Sequence, residues 1–131
     1  MGYTHYWRNV PSKLNEQAVE VAKDILRRYA GIVRVHLMSD DIISFNGIGE
    51  DEFELFEFKI NQKFEFCKTA RRPYDIAVCE VLLVMKYYLP TLTISSDAYE
   101  IGGALDESWY LAMQNLERYG VSFAGDDPVL D

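Results

Sequence analysis

Side chains alternate between two faces at the start of the chain. Tyr3, His5 and Trp7 occupy one face of the segment Tyr3–Arg8, and the residues between them occupy the other. The segment is rich in aromatic residues, which favour strands. We therefore predict a first strand over Tyr3–Arg8.

A helical period follows this strand. Pro11 and Ser12 indicate a helix start with Ser12 as the N-cap, and Gly31 is placed to end the helix at its C′ position. Apolar residues recur at steps of three and four and predict one buried face: Leu14, Ala18, Val21, Ala22, Ile25 and Tyr29.

Short strands are predicted next. Apolar residues alternate with Arg34 and His36 over Ile32–Leu37, which predicts a strand. Ile42–Phe45 is a second candidate strand, and Asn46-Gly47 is a turn signal. The alternation slips by one position near Leu55-Phe56, which predicts a β-bulge or a strand covered on both faces. We expect Asn61–Lys63 to close a hairpin, along which Phe64 and the residues after it return.

The second helix is apolar around most of its circumference. It is predicted over Tyr74–Leu89, ends before Pro90, and has few polar positions. Such a helix is typical of a buried, central element. Its apolar residues are Ile76, Ala77, Val78, Val81, Leu82, Leu83, Val84 and Met85.

The remainder predicts one strand and one helix. Thr91–Ser95 is β-branched, Asp106 is a suitable N-cap, and Gly120 can end the third helix. Residues from about 121 to 131 are expected to form a flexible tail. The apolar face of the third helix comprises Trp109, Ala112, Met113 and Leu116.

The order of elements, β-α-β-β-β-α-β-α, predicts an α+β fold. We expect a mixed or antiparallel sheet with two to three helices packed on it, and a ferredoxin-like arrangement is our leading topology. The 131 residues fit a single domain spanning positions 1–131.

Composition restricts the class of protein. No apolar run approaches the roughly 20 residues of a membrane span, and the first residues lack the apolar core of a signal peptide. Two cysteines, Cys67 and Cys79, do not make a disulfide framework. These features predict a cytoplasmic protein that does not contact a membrane (host cytoplasm, if a phage encodes it).

Charge is unevenly distributed. The net charge of −8 argues against general affinity for nucleic acid. Seven acids and no Lys or Arg lie between Val35 and Phe58, whereas five bases and one acid lie between Lys59 and Arg72. One local positive site on an acidic body suits a small anion better than a long polyanion.

The basic stretch Lys68–Asp75 is the strongest candidate site. It precedes the second helix, and a helix N-terminus together with arginines suits phosphate or carboxylate. Tyr74 could stack on a planar ligand. The structural alternative is that Arg71 and Arg72 pair with the acidic run Glu50–Glu57, while Asp75 complements the helix dipole.

Two other segments could contribute to the same site. Tyr3, His5 and Trp7 offer ring faces and one general base, although a strand this aromatic is more often half-buried. Ser96 and Asp97 follow the last strand and could bind a ligand, although a Ser or Asx turn is the commoner role.

No metal site, cofactor or established catalytic motif is predicted. The two His and two Cys lack zinc-site spacing, and the acidic run misses the EF-hand pattern. Walker A, dinucleotide, G-x-S-x-G and H-E-x-x-H patterns are absent.

Four blocks resemble a known family. They are Gly2-Tyr3-Thr4-His5-Tyr6-Trp7, Phe45-Asn46-Gly47, Phe66 to Asp75 (FCKTARRPYD) and Ser95-Ser96-Asp97. Together they resemble, over positions 2 to 97, a family of small uncharacterised proteins of tailed phages, prophages and bacteria. The resemblance implies no activity. It does imply that these blocks converge at one end of the sheet: Tyr3, His5, Trp7, Lys68, Arg71, Tyr74, Ser96 and Asp97.

The chain departs from that family at three positions. The family commonly has Gly after the Ser-Ser-Asp block and a pair of His at the end of the second helix. Ala98, Tyr87 and Tyr88 stand there instead. No role for a histidine pair therefore carries over.

Three functions follow from these patterns. The leading hypothesis is a non-enzymatic phage-type accessory protein that binds a small anionic, nucleotide-like ligand. In it, Lys68, Arg71 and Arg72 hold phosphate, and Tyr74 or Trp7 stacks on a base.

The second hypothesis is an acidic interaction module that mimics nucleic acid and inhibits a host protein through the run Asp40–Glu57 and the acidic C-terminal half of the chain. The third is a small hydrolase or transferase that uses His5 with Asp75 or Asp97, which requires hydrogen-bond contact between those side chains. A homo-oligomer stays open under all three.

Overall fold

The computed structural model describes residues 3–97 and 107–123. Short 3₁₀ turns occupy Gly49–Asp51 and Glu117–Tyr119. The α+β class is confirmed, with one more strand between the first two helices than predicted. In chain order the elements are β1 (Thr4–Arg8), α1 (Glu16–Arg28), β2 (Val33–Met38), β3 (Ile42–Gly47), β4 (Phe56–Lys59), β5 (Phe64–Lys68), α2 (Asp75–Tyr88), β6 (Thr93–Ser96) and α3 (Glu107–Leu116).

The strands form two antiparallel sheets. One has the order β5-β1-β6 and the other β2-β3-β4. The ferredoxin-like topology, which needs one continuous four-stranded sheet, is therefore not the arrangement found. β1 is the central strand of its sheet, so its inward-facing side chains are covered on both flanks.

The turn between β4 and β5 explains why the sheet divides. The expected hairpin does not pair these two strands with each other. The chain after β1 pairs with the turn instead: Asn9 and Val10 donate backbone N–H groups to the carbonyls of Lys63 and Gln62, at 3.1 and 3.0 Å. β5 then continues beside β1, while β4 stays beside β3.

The buried character of α2 is confirmed. Every residue from Ala77 to Met85 is buried, and the helix packs against α1 and α3. Two carboxylates, Asp75 and Glu80, are buried on this helix among apolar neighbours. Each must find polar partners, because an unpaired buried charge is costly.

The expected ends of α1 are wrong, although the helix is correct. Asn15 is the N-cap, and its Oδ1 accepts from the N–H groups of Gln17 and Ala18 at 2.8 and 3.1 Å. Ser12 lies before the cap. Among described glycines, Gly31 does not adopt the left-handed conformation, whereas Gly120 does at φ 73°, as predicted after α3.

Two expectations for the middle strands are also wrong. The slip near Leu55-Phe56 marks a strand start, because β4 begins at Phe56 and Leu55 is exposed. A register irregularity occurs in β2 instead. Asn46-Gly47 ends β3 rather than forming a turn, and the Asn46 amide bonds both the N–H and the carbonyl of Phe53 at 3.0 Å.

The ends of the described ranges complete the picture. Val121 is buried, so the core extends into the segment expected to be a tail. Residues 124–131 and the predicted N-cap Asp106 lie outside the described residues. No helix in the described ranges is long and apolar enough to cross a membrane.

Candidate functional site

The site is built around His5 on the inner face of β1. Tyr3, His5 and Trp7 share one face of the strand, as predicted. That face lies toward the core, and His5 is fully buried. The rings of Tyr3 and Trp109 meet His5 edge-on, each with its centroid 5.0 Å from the imidazole. These contacts fix the orientation of the imidazole ring.

Both ring nitrogens of His5 are hydrogen bonded. Nδ1 lies 2.7 Å from Ser96 Oγ, since β1 and β6 pair with His5 opposite Ser96. Nε2 lies 2.7 Å from Asp75 Oδ1, in the first turn of α2. The structure thus brings together three residues that the sequence singled out in separate segments.

Thr69 completes the environment of Asp75. Its hydroxyl donates to Asp75 Oδ1 at 2.5 Å, and both residues are buried. The Thr69 hydroxyl and the His5 imidazole thus both contact Oδ1 of this carboxylate. Asp75 therefore does more than complement the helix dipole.

Exposure changes along this chain of hydrogen bonds. Ser96 is partly exposed, whereas His5 and Asp75 are buried. With the His5 proton on Nε2, toward Asp75, Nδ1 accepts the proton of Ser96 Oγ. A serine hydroxyl, an imidazole and a carboxylate joined in this order by hydrogen bonds are the groups that nucleophilic catalysis by serine requires.

Asp97 faces away from His5. Its carboxylate accepts from the backbone N–H of Thr4 at 3.1 Å and from the hydroxyl of Tyr6 at 3.2 Å. Partial burial raises the pKa of Tyr6, and the charge of Asp97 raises it further. Asp97 thus holds the end of β6 against β1. Asp75, rather than Asp97, is the carboxylate bonded to His5.

The turn after β5 holds Arg71 against Tyr3, which contacts His5. Thr69 and Ala70 donate backbone N–H groups to Tyr3 O at 3.1 and 3.3 Å. Ala70 and Arg71 both have positive φ, 52° and 58°, a conformation that costs energy for residues with a side chain. The turn carries the Arg71 guanidinium over the Tyr3 ring, 4.0 Å from its centroid.

Lys68 and Arg72 flank a second ring. Their charged groups lie 5.9 and 5.6 Å from the centroid of Phe53, and among the described residues neither forms an ion pair with a carboxylate. The predicted pairing of Arg72 with the run Glu50–Glu57 is therefore not seen within the described chain.

Two predicted site residues serve the fold instead. Tyr74 is fully buried and its hydroxyl donates to Glu54 O at 2.6 Å. Trp7 is fully buried and Nε1 donates to Gln62 Oε1 at 2.9 Å. Neither exposes a ring face on which a planar ligand could stack.

The sequence did not single out two members of the site. Thr69 lies inside the basic stretch but was not assigned a role. Cys79 lies one helical turn after Asp75, with Sγ 3.8 Å from His5 Nε2 and 3.8 Å from Asp75 Oδ2. The i, i+4 spacing of Asp75 and Cys79 was the only available signal.

Cys67 is placed for packing rather than chemistry. It lies opposite His5 in the pairing of β1 with β5 and is buried. Burial raises the pKa of its thiol to about 12, so the thiolate is scarce at neutral pH. A Cys67 nucleophile is therefore disfavoured.

Comparison with protein-family models, curated proteins and solved structures finds no match to this chain. The predicted family resemblance stays a prediction, and the case for function comes from the geometry of the site.

Proposed function

We propose that the chain is a small hydrolase or transferase with a serine nucleophile and an anionic substrate. The observation that carries this proposal is the pair of 2.7 Å contacts from His5, to Ser96 Oγ and to Asp75 Oδ1. Of the functions that the sequence suggested, this one requires hydrogen-bond contact between His5 and a carboxylate.

Each residue has one role. His5 Nδ1 accepts the proton of Ser96 Oγ as that oxygen attacks an acyl carbon or a phosphorus atom. The proton passes to the leaving group, which departs. Water or another acceptor then attacks the Ser96 adduct, and His5 takes the proton of that acceptor. The bond from Ser96 Oγ to the acyl carbon or phosphorus breaks, and His5 returns a proton to Oγ. Asp75 orients His5 and stabilises the imidazolium.

The ring of His5 is used in the opposite sense to the familiar serine-protease arrangement, where Nε2 faces the serine. Either nitrogen can act as the base when the other carries the proton. In this protein Nε2 contacts Asp75 and Nδ1 contacts Ser96, so Nδ1 is the nitrogen that acts as the base.

Three basic residues, Lys68, Arg71 and Arg72, support an anionic substrate. Arg71 stacks on Tyr3, whose other contacts include the edge of His5. Lys68 ends β5, and Arg72 lies between β5 and α2. In this proposal the anion binding that the sequence suggested serves to hold the substrate, since guanidinium groups are suited to phosphate or carboxylate.

A fluorophosphonate probe tests this proposal without knowledge of the substrate. We expect one phosphonyl group per chain, located at Ser96 by peptide mass spectrometry, and none in Ser96→Ala. Ser95→Ala is the matched control, because Ser95 is opposite Tyr6 in the strand pairing and so faces away from His5. Persistent labelling of Ser96→Ala, or none in the parent, would overturn the serine chemistry.

A competition arm tests the anionic substrate. Adenosine monophosphate or inorganic phosphate in excess should slow labelling of the parent, and should slow it less in Arg71→Gln. If these anions raise the melting temperature while the probe never reacts, anion binding without catalysis is the correct function. If the probe reacts and no anion competes, the substrate class is wrong.

A further inference from the structure

Three potential metal ligands meet beneath the serine. Asp75 and Cys79 lie four residues apart on one face of α2, and His5 projects onto them from β1. One ligand atom from each residue lies within 4.8 Å of the others, and all three residues are buried. The topology, rather than the spacing in the sequence, brings them together.

The distances suit a tetrahedral ion after small shifts. Zinc takes His nitrogen and Asp oxygen at about 2.0–2.2 Å and Cys sulfur at about 2.3 Å, which places ligand atoms roughly 3.2–3.6 Å apart. The observed separations are 2.7 Å between His5 Nε2 and Asp75 Oδ1, and 3.8 Å from Cys79 Sγ to each of those residues. Side-chain rotation can supply the difference.

The outer contacts are those of a metal site. A histidine that binds a metal through one nitrogen usually donates the other N–H to an oxygen, and His5 Nδ1 has Ser96 Oγ at 2.7 Å. Thr69 fixes the carboxylate in the same way. Two of the three potential ligands, His5 and Asp75, are therefore oriented by a hydrogen bond to a hydroxyl group.

Charge balance also favours a divalent ion. As metal ligands, a carboxylate from Asp75, a thiolate from Cys79 and a neutral imidazole from His5 would together carry a charge of −2, which a divalent cation neutralises. Among the described residues, no lysine or arginine forms an ion pair with Asp75. A mixed sulfur, nitrogen and oxygen set selects zinc-like ions over calcium or magnesium.

We propose that His5, Asp75 and Cys79, the three ligands that the described residues supply, form a site for a zinc-class divalent ion. The ion takes His5 Nε2 and moves the remaining proton to Nδ1, so His5 can no longer accept a proton from Ser96. Resting on the proposed function, this binding switches the serine off.

Cobalt(II) tests the site directly. The parent protein titrated with Co²⁺ should develop a near-ultraviolet thiolate-to-cobalt charge-transfer band and the visible bands of a tetrahedral ion, and Zn²⁺ should abolish both. Cys79→Ser should lose the charge-transfer band. Cys67→Ser, which removes the other buried thiol, should keep it.

The outcomes separate this inference from the proposed function. No charge-transfer band in the parent, or an unchanged band in Cys79→Ser, overturns the metal site whether or not the serine reacts. A band together with a Ser96 that does not react even in the metal-free protein supports the site and overturns the serine chemistry. A band together with labelling that Zn²⁺ does not slow supports the site and refutes only the switch. If Zn²⁺ blocks fluorophosphonate labelling in the parent and not in Cys79→Ser, the site and the switch are both supported.

Discussion

Two buried carboxylates on α2 are satisfied in different ways. Glu80 is fully buried and bonds the guanidinium of Arg28, the hydroxyl of Tyr29 and, at 3.0 Å, the amide of Asn115. Asp75, five residues earlier, is bonded by the imidazole of His5 and the hydroxyl of Thr69. Within the described parts of the chain, Glu80 has a permanent cation as its partner and Asp75 does not.

The difference separates a structural network from a reactive one. The partners of Glu80 come from α1 and α3, so its network ties three helices together around a permanent ion pair. The chain through Asp75 passes through the His5 ring to the hydroxyl of Ser96, a partly exposed residue. A buried ion pair supports one arrangement of the fold, whereas a carboxylate–imidazole–hydroxyl chain can move a proton.

The largest effect should come from removing the charge of Asp75. In Asp75→Asn the amide still accepts from Thr69, but it no longer stabilises a His5 imidazolium. We expect the rate of fluorophosphonate labelling at Ser96 to fall by about 10²- to 10⁴-fold. The free energy of unfolding in urea should change by no more than about 1–2 kcal/mol.

The ratio of these two effects is the decisive quantity. If Asp75→Asn lost several kcal/mol of stability and labelled at the parent rate, Asp75 would resemble Glu80, and the distinction between the two carboxylates would be lost.

The next largest effect should be on stability, at Glu80. Glu80→Gln leaves Arg28 without its buried partner, and removing one member of such a pair costs about 3–5 kcal/mol. Since the Arg28 side chain is 21% exposed, the low end of that range is expected. The folded fraction should label at the parent rate.

Glu20→Gln is the matched control. Glu20 pairs with Lys23 at 3.3 Å on the exposed side of α1, with 70% of its side chain exposed. The same chemical change there should cost about 0.5 kcal/mol or less. Equal losses at Glu20 and Glu80 would show that the buried network contributes nothing specific.

The sequence predicted α2 well because one physical signal determines it. An apolar circumference between Pro73 and Pro90 permits little besides a central helix, and the structure confirms it. The prediction of one sheet was wrong because strand pairing depends on long-range contacts. The bonds of Asn9 and Val10 with the β4–β5 turn leave no local pattern in the sequence.

The candidate site was predicted in part for the same reason. His5, Asp75 and Ser96 stood out by residue type and position, but their mutual distances depend on the register of β1 with β6 and on where α2 begins. The expected stacking role of Tyr74 was wrong. A residue just before a helix is expected to be exposed, but the segment that contains Glu54 covers Tyr74. Cys79 looked like one more apolar residue of α2.

The smallest effect should be on the response of the Glu80 network to alkali. Burial raises the pKa of Tyr29 to about 12, and the hydrogen bond to Glu80 adds to the shift. Between the ordinary value of 10.0 and about 12, the unfolded chain loses the Tyr29 proton while the folded chain keeps it, so stability falls as pH rises through this window.

Tyr29→Phe should be less stable than the parent at neutral pH, yet lose less stability in urea titrations from about pH 9 to about pH 11. Tyr110→Phe, at an exposed position of α3, should follow the parent. An identical alkaline loss in the parent and in Tyr29→Phe would mean that Tyr29 does not depend on Glu80 as its contact indicates, because a phenol that donates to a buried carboxylate resists deprotonation in the folded state alone.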